Sequence, residues 1–168
     1  MTDKAFTTCL WFDTEAEAAA SYYTSIFADS KLGRIGRYTD AGPGEAGTVM
    51  AVEFELNGQK FVALNGGPQF TFNEAISFQI PCADQDEVDY YWSSLSEGGQ
   101  EVACGWLKDK YGLCWQVIPT VLIEMISDPE PDKASRATEA MLAMTKFDIA
   151  ELEQAYAGPD GGARTAYP

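Results

Sequence analysis

Two heptapeptides decide how this chain reads: Ser21-Tyr22-Tyr23-Thr24-Ser25-Ile26-Phe27 and, 68 positions on, Asp89-Tyr90-Tyr91-Trp92-Ser93-Ser94-Leu95. Both place a Tyr-Tyr pair inside a helical pattern. In the first, Ala19, Tyr22, Tyr23, Ile26 and Phe27 recur at three- and four-residue spacing and make one apolar stripe. Each helix follows a strand-like run and a capping-box spacing. Ala5–Phe12 (AFTTCLWF) precedes Thr14-Glu15-Ala16-Glu17, and Ala75–Ile80 precedes Asp84-Gln85-Asp86-Glu87. The same offset sets Leu10 on Phe78, and Gly98-Gly99 stops the second helix.

Outward from these helices the pattern is again shared. Lys31–Tyr38 reads as a strand and Ala41–Gly47 as a loop; Thr48–Leu56 and Gln59–Asn65 are strands joined at Asn57-Gly58, a strong hairpin signal. In the second half, Gln100–Leu107 is predicted as a strand, Lys108–Gly112 as a turn and Leu113–Ile118 as the last strand. Gly58–Leu64 (GQKFVAL) matches Gly112–Ile118 (GLCWQVI) at an offset of 54. The repeated unit is strand, helix and about three strands. The expected fold is therefore α+β, with two such modules, 5–65 and 74–118, each able to curl into half of a cupped sheet with its helix outside, all in a single domain over 1–158. Beyond Pro119, helices over Val121–Ile126, Lys133–Met144 and Ile149–Tyr156 (capped by Asp148) make a C-terminal extension over 119–157. The second of these is expected to expose Ala137, Met141 and Met144, and 158–168 reads as a flexible tail.

Composition narrows the function. A hydrophobic fraction of 46% over 168 residues suffices for a real core without staples. Acidic residues outnumber basic ones 26 to 11, a formal charge of −15, which opposes binding to nucleic acid or an anionic membrane. No run of 18 apolar residues occurs and Met1–Lys4 does not open a signal peptide, so a cytoplasmic protein with no membrane partner is expected. There is no His, which removes His-ligated zinc, Ser-His-Asp and Cys-His chemistry and axial-His haem. The four Cys, at 9, 82, 104 and 114, form no CxxC pair and read as reduced, buried thiols. The Gly42–Gly47 loop lacks the Gly-Lys-Ser/Thr of a phosphate loop.

Three stretches then carry a family resemblance. They are Leu10-Trp11-Phe12-Asp13 before the Ala-Glu-Ala helix; Leu64-Asn65-Gly66-Gly67-Pro68 followed by Phe72-Asn73-Glu74-Ala75-Ile76-Ser77-Phe78; and Cys104-Gly105-Trp106-Leu107-Lys108-Asp109-Lys110-Tyr111-Gly112 running into Trp115-Gln116. Together they resemble the PhnB-like proteins of the vicinal oxygen chelate superfamily, which also holds glyoxalase I, extradiol dioxygenases and bleomycin-resistance proteins. Members often carry the description 3-demethylubiquinone-9 3-methyltransferase. The resemblance implies two βαβββ modules forming a cupped, mixed, mostly antiparallel sheet, and a homodimer. It also implies four metal positions near Thr7, Val62, Ala75 and Gln116, where relatives place His and Glu. None of these four supplies an imidazole or carboxylate, so no metal and no cofactor are expected.

Without a metal, the cup is expected to bind a small molecule through polar and aromatic groups: Cys9, Trp11, Asn65, Asn73, Glu74, Gln79, Cys104, Trp106 and Gln116. Strand alternation turns Gln116 inward with Cys114 and Ile118, as a ligand contact or as a satisfied structural amide. Trp11 and Trp106 read as packing residues or as pocket walls. Glu53 and Glu55 fall on the wet phase of their strand, and Asp109 reads as the acceptor of a solvated turn. Three function classes compete. The first is a metal-free binding protein of undefined biochemical role. The second is an enzyme, of lyase or isomerase type or with the methyl transfer of the family description. The third is an interaction protein acting through its acidic surface and C-terminal helices.

Overall fold

The structure is a computed structural model that describes residues 6–158. The chain divides into two compact units between Phe72 and Asn73, beside the predicted module boundary. The tail reading for 159–168 lies outside the described residues.

Unit 1 runs β1 (Thr8–Phe12), α1 (Ala16–Ile26), β2 (Ser30–Arg37), β3 (Val49–Leu56) and β4 (Gln59–Asn65). Its sheet has the order β1-β4-β3-β2, with β1 parallel to β4 and the other pairs antiparallel. Asn57 and Gly58 turn the β3–β4 hairpin with φ of 48° and 78°, the left-handed pair that a two-residue hairpin turn requires. Side chains alternate across the strands. Leu10, Phe12, Val52, Phe54, Leu56, Phe61 and Ala63 are buried on one face, with Ala16, Ala19, Ala20, Tyr23 and Ile26 of α1. Tyr23 stacks on Phe54 and Phe54 on Phe61.

The capping box predicted at Thr14 does not form. The N-cap residue is Glu15, without a side-chain cap bond; the Ala16 N–H instead donates to Asn65 Oδ1 at 2.8 Å. A long-range acceptor has displaced the local one.

Unit 2 repeats the plan: β5 (Phe78–Cys82), α2 (Gln85–Ser96), β6 (Gln100–Glu101), β7 (Trp106–Lys108) and β8 (Cys114–Pro119). The order β5-β8-β7-β6 reproduces that of unit 1, again with the first and last strands parallel. Two mixed sheets of one topology, each with its helix, bear out the duplication. Here the cap does form, Asp84 accepting from Glu87 N–H at 3.0 Å, while Glu87 Oε2 accepts from the N–H of Ala83, one residue before the N-cap.

Three expectations for unit 2 need correction. The strand predicted from Ala75 starts at Phe78, with 74–76 in a turn. The strand predicted over Gln100–Leu107 is broken, because Cys104 and Gly105 take φ of 59° and 74° and give their N–H groups to Met144 and Thr145 carbonyls, both at 2.8 Å. A Cβ on Gly105 would stand 2.4 Å from the Phe147 ring, so this close approach requires glycine. Asp109 is buried rather than solvated. It accepts from Tyr111 N–H (2.8 Å), Leu113 N–H (3.1 Å) and Trp115 Nε1 (2.8 Å).

The repeat also differs from its sequence alignment. The N-caps Glu15 and Asp84 are 69 positions apart, so buried Tyr23 corresponds to Trp92 rather than Tyr91. Each parallel strand ends opposite the last residue of its partner, Phe12 on Asn65 and Cys82 on Pro119, which sets an offset of 70 between β1 and β5.

The extension forms α3 (Thr120–Ile126), α4 (Pro131–Ala143) and α5 (Ile149–Ala157). Asp148 caps α5 as predicted, its side chain accepting from Glu151 N–H, and Gly158 closes it. Ala137 is buried rather than exposed, in a cluster with Leu122, Met125, Phe147 and Leu152 against which Met141 and Met144 pack. The helices cover part of one another's apolar surface, and Ile123 and Leu142 stay exposed.

Candidate functional site

Each of α1 and α2 covers one face of the sheet in its own unit, which leaves the other face of that sheet clear of its helix. In unit 1 the open face is a grid of cross-strand rows. Glu53, Val62 and Cys9 form one row, Ala51, Leu64 and Trp11 the next, and Lys31, Glu55 and Lys60 a third. A cavity of about 400 Å³ lies over it, lined by Thr7, Lys31, Gly33, Glu53, Glu55, Lys60 and Val62 among others. Lys31 pairs with Glu55 at 3.3 Å and Arg34 with Glu53 at 2.7 Å. Cys9 is exposed here. Trp11 stands in the next row, outside the cavity lining, and is fixed in place. Its Nε1 donates to the Gly67 carbonyl at 2.8 Å, Phe70 meets it edge-on at 5.1 Å, and a Cβ on Gly66 would collide with the indole at 2.2 Å.

In unit 2 the corresponding row is Trp106, Gln116 and Gln79. Gln79 Nε2 donates to Gln116 Oε1 at 3.1 Å, and Gln116 Nε2 donates to Ser77 Oγ at 2.7 Å. Gln116 lies opposite the buried phase of β8, as alternation predicts, and both ends of its amide are engaged. Beside it, Lys108 pairs with Glu74. The contact with Lys108 holds the Glu74 carboxyl below its ordinary range, and the same bond pushes Lys108 up. Burial raises the Cys114 thiol, and raises Cys82 to about 12, so neither serves as a thiolate near neutral pH.

The remaining sequence candidates stand elsewhere. Asn65 faces the helix side, where it accepts from Ala16 N–H, donates to the Val49 carbonyl at 3.0 Å and receives the Tyr38 hydroxyl on its own carbonyl. Cys104 is not on a strand; it packs against the C-terminal helical cluster. Asn73 caps its own turn, accepting from Ala75 N–H at 3.0 Å. Sequence reasoning missed Ser77 and undervalued Glu53 and Glu55. Alternation does place both Glu side chains opposite Val52 and Phe54, and that face is the open one.

The offset of 70 relates Thr7 to Ser77 rather than to Ala75, and 54 relates Val62 to Gln116. The four positions implied for a metal therefore hold Thr, Val, Ser and Gln, and none is an imidazole or carboxylate donor. Among the described residues no group of three or more His, Cys, Asp or Glu could hold a metal ion. The residues present do not fit the superfamily's metal. Among the described residues, no helix is long and apolar enough to cross a membrane.

Twin strand-helix modules with parallel outer pairs define a vicinal-oxygen-chelate-like fold. Residues 4–118 match the family model described as 3-demethylubiquinone-9 3-methyltransferase. The PhnB protein from Bacillus cereus is 36% identical, with 70% of this chain and 100% of that one covered at a TM-score of 0.64. The chain belongs to this PhnB-like family of the vicinal oxygen chelate superfamily. At the level of fold alone it is similar to protein PA1353 from Pseudomonas aeruginosa (17% identity, 70% and 98% covered, TM-score 0.58). It is likewise similar in fold to the fosfomycin resistance protein FosX from Mesorhizobium loti (11%, 76% and 100%, 0.53). No curated protein matches the chain.

Proposed function

We propose that the protein binds a small molecule on the open faces of its sheets without a metal. The observation that carries this is the Ser77–Gln116–Gln79 row, where hydroxyl and amide groups stand at and beside positions that metal-using relatives give to ligands. Such groups orient a polar ligand but cannot replace an imidazole or carboxylate around a divalent ion. The cavity over Thr7 and Val62 supplies room for a ligand on unit 1. The cupped sheet, single-domain assembly and homodimer implied by the family resemblance belong to the same proposal. The exposed apolar residues Leu32 and Ile35 on the edge strand β2, with Met50 on neighbouring β3, support pairing of two copies. The test is native mass spectrometry of the untagged protein as purified, followed by elemental analysis. A bound organic mass without stoichiometric metal is expected; one tightly held zinc or nickel per chain overturns the reading.

The family description favours a second reading, methyl transfer. Its support is that description alone, since neither β1 nor β5 is followed by the Gly-rich loop of a doubly wound methyltransferase; Asp13-Thr14-Glu15 and Ala83-Asp84 stand there. Calorimetry with S-adenosylmethionine separates the two, and saturable binding would favour the enzyme.

A further inference from the structure

We propose that the open face of unit 2 takes an uncharged amide-type group (a carboxamide, lactam or urea) laid across the Gln79–Gln116–Trp106 row. This rests on the small-molecule reading above and names the chemistry of its ligand. The row crosses three strands, with Gln79 on β5 opposite Gln116 on β8, and Gln116 opposite Trp106 on β7. Gln79 Nε2 donates to Gln116 Oε1 and Gln116 Nε2 to Ser77 Oγ, which holds the two amides in line. Those bonds leave the row half used. An amide carries two N–H hydrogens and two oxygen lone pairs, and each Gln gives one hydrogen within the row. Neither Gln, nor Ser77, nor the Trp106 indole has a further side-chain partner among the described residues. Both amides therefore keep a donor and an acceptor site to spare. Donors and acceptors side by side, without formal charge, match a ligand group that offers both.

The surroundings of the row discriminate against ions. Among the described residues, the strand positions on this face of unit 2 hold one charged side chain, Lys108, and Glu74 pairs with it from the turn before β5. The pair lowers the Glu74 carboxyl and raises Lys108, so both stay ionised near neutral pH and offset one another. An ionic ligand gives up hydration that neutral amides and a hydroxyl do not return. To find a counter-charge it must also displace one member of a standing pair. On the other side of the row Pro81 lies opposite Ile118, and Ile118 packs against the C-terminal helical cluster. With that apolar surface on one side and the Trp106 indole at its end, the row suits an amide carried on a small flat ring.

The test uses the unaltered full chain and three probes of one shape: benzamide, benzoate and benzamidine, which are neutral, anionic and cationic near neutral pH. Each is titrated by NMR at about 0.15 M salt, following the side-chain amides of Gln79 and Gln116 and the indole N–H of Trp106. A net charge of −15 draws benzamidine to the surface in general, so only saturable shifts at these groups count. Benzamide is expected to shift them saturably, with a Kd at least about tenfold below that of either ion. Gln79→Ala and Gln116→Leu should each remove that preference; Gln79 is exposed, so its replacement serves where Gln116→Leu disturbs the fold. The inference is overturned if either ion binds the row as tightly as benzamide, if benzamide does not saturate, or if its shifts fall elsewhere. Should an ion saturate the row instead, the amide is refuted while the small-molecule reading stands. Should benzamide leave the row untouched and the purified protein carry no bound organic mass, both fall.

Discussion

Asn65, the last residue of β4, caps helix α1 through Ala16, 49 positions earlier: its Oδ1 accepts the Ala16 N–H at 2.8 Å. The same amide donates to the Val49 carbonyl, so one side chain joins the helix start to two strands. Replacing Asn65 with Ala should lower stability by about 2 kcal/mol, one lost cap plus one lost bond. Thr14→Ala should stay within about 0.5 kcal/mol, since Thr14 caps nothing. Urea unfolding of both variants checks this, and equal losses would contradict it.

This pair also shows how far the sequence could be read. Alternation in Val52, Phe54 and Leu56, the Asn57-Gly58 turn and the caps at Asp84 and Asp148 are local signals, and the structure keeps all of them. The Thr14 box was an equally local signal and lost to an acceptor from another strand. The break at Cys104–Gly105 was illegible because its backbone partners, Met144 and Thr145, lie about 40 residues away. Ser77 was missed for a related reason. A helix match at 68 hid a strand register of 70, and only the pairing of β5 with β8 reveals it.

Asp109→Asn should cost about 2–3 kcal/mol. The buried carboxylate is an acceptor for three N–H groups, and an amide turns donors of its own toward them. Trp115 donates to the lost oxygen and so reports the change directly. A shifted tryptophan emission with reduced stability is expected; an unchanged denaturation midpoint would show that the turn re-satisfies itself.

Gln116→Leu tests the amide row. Its partners Gln79 and Ser77 are not fully buried and can turn to water, so the loss of stability should not exceed about 1 kcal/mol. A double-mutant cycle with Gln79→Ala should give a coupling below about 1 kcal/mol. Larger coupling would make the row a structural element and weaken its role as a ligand contact.

Thiol reactivity should follow the burial pattern. Cys9 is exposed, whereas Cys82 and Cys114 are buried and their thiols are pushed up, so brief iodoacetamide treatment of the folded protein should label Cys9 before either. The Cys82 shift fixes a sign for alkaline stability. Between the ordinary 9.0 and about 12 the unfolded chain loses this proton and the folded chain keeps it, so stability present below 9.0 falls as pH rises through that window. Cys82→Ala should flatten that part of the profile. A profile unchanged by the substitution would assign the alkaline loss to other groups.

Pairing of two copies is the last expectation, and charge and burial pull on it in opposite directions. In the helical extension Ala137 is buried and Met141 and Met144 are half-buried within unit 2, while Ile123 and Leu142 stand 51% and 62% exposed. Leu32 and Ile35 on β2 and Met50 on neighbouring β3 remain 43%, 36% and 37% exposed, together on the helix-facing side of the sheet, and carry the expectation. A net charge of −15 per chain opposes association, and salt screens that repulsion without weakening an apolar contact. Dimerisation should therefore strengthen as salt is raised from about 0.02 to 0.15 M. Light scattering should give twice 18.3 kDa at the upper salt, and Ile35→Lys should return the monomer. A monomer at micromolar concentration throughout would leave the β2 edge an ordinary exposed strand. A dimer indifferent to Ile35→Lys would move the interface to another surface.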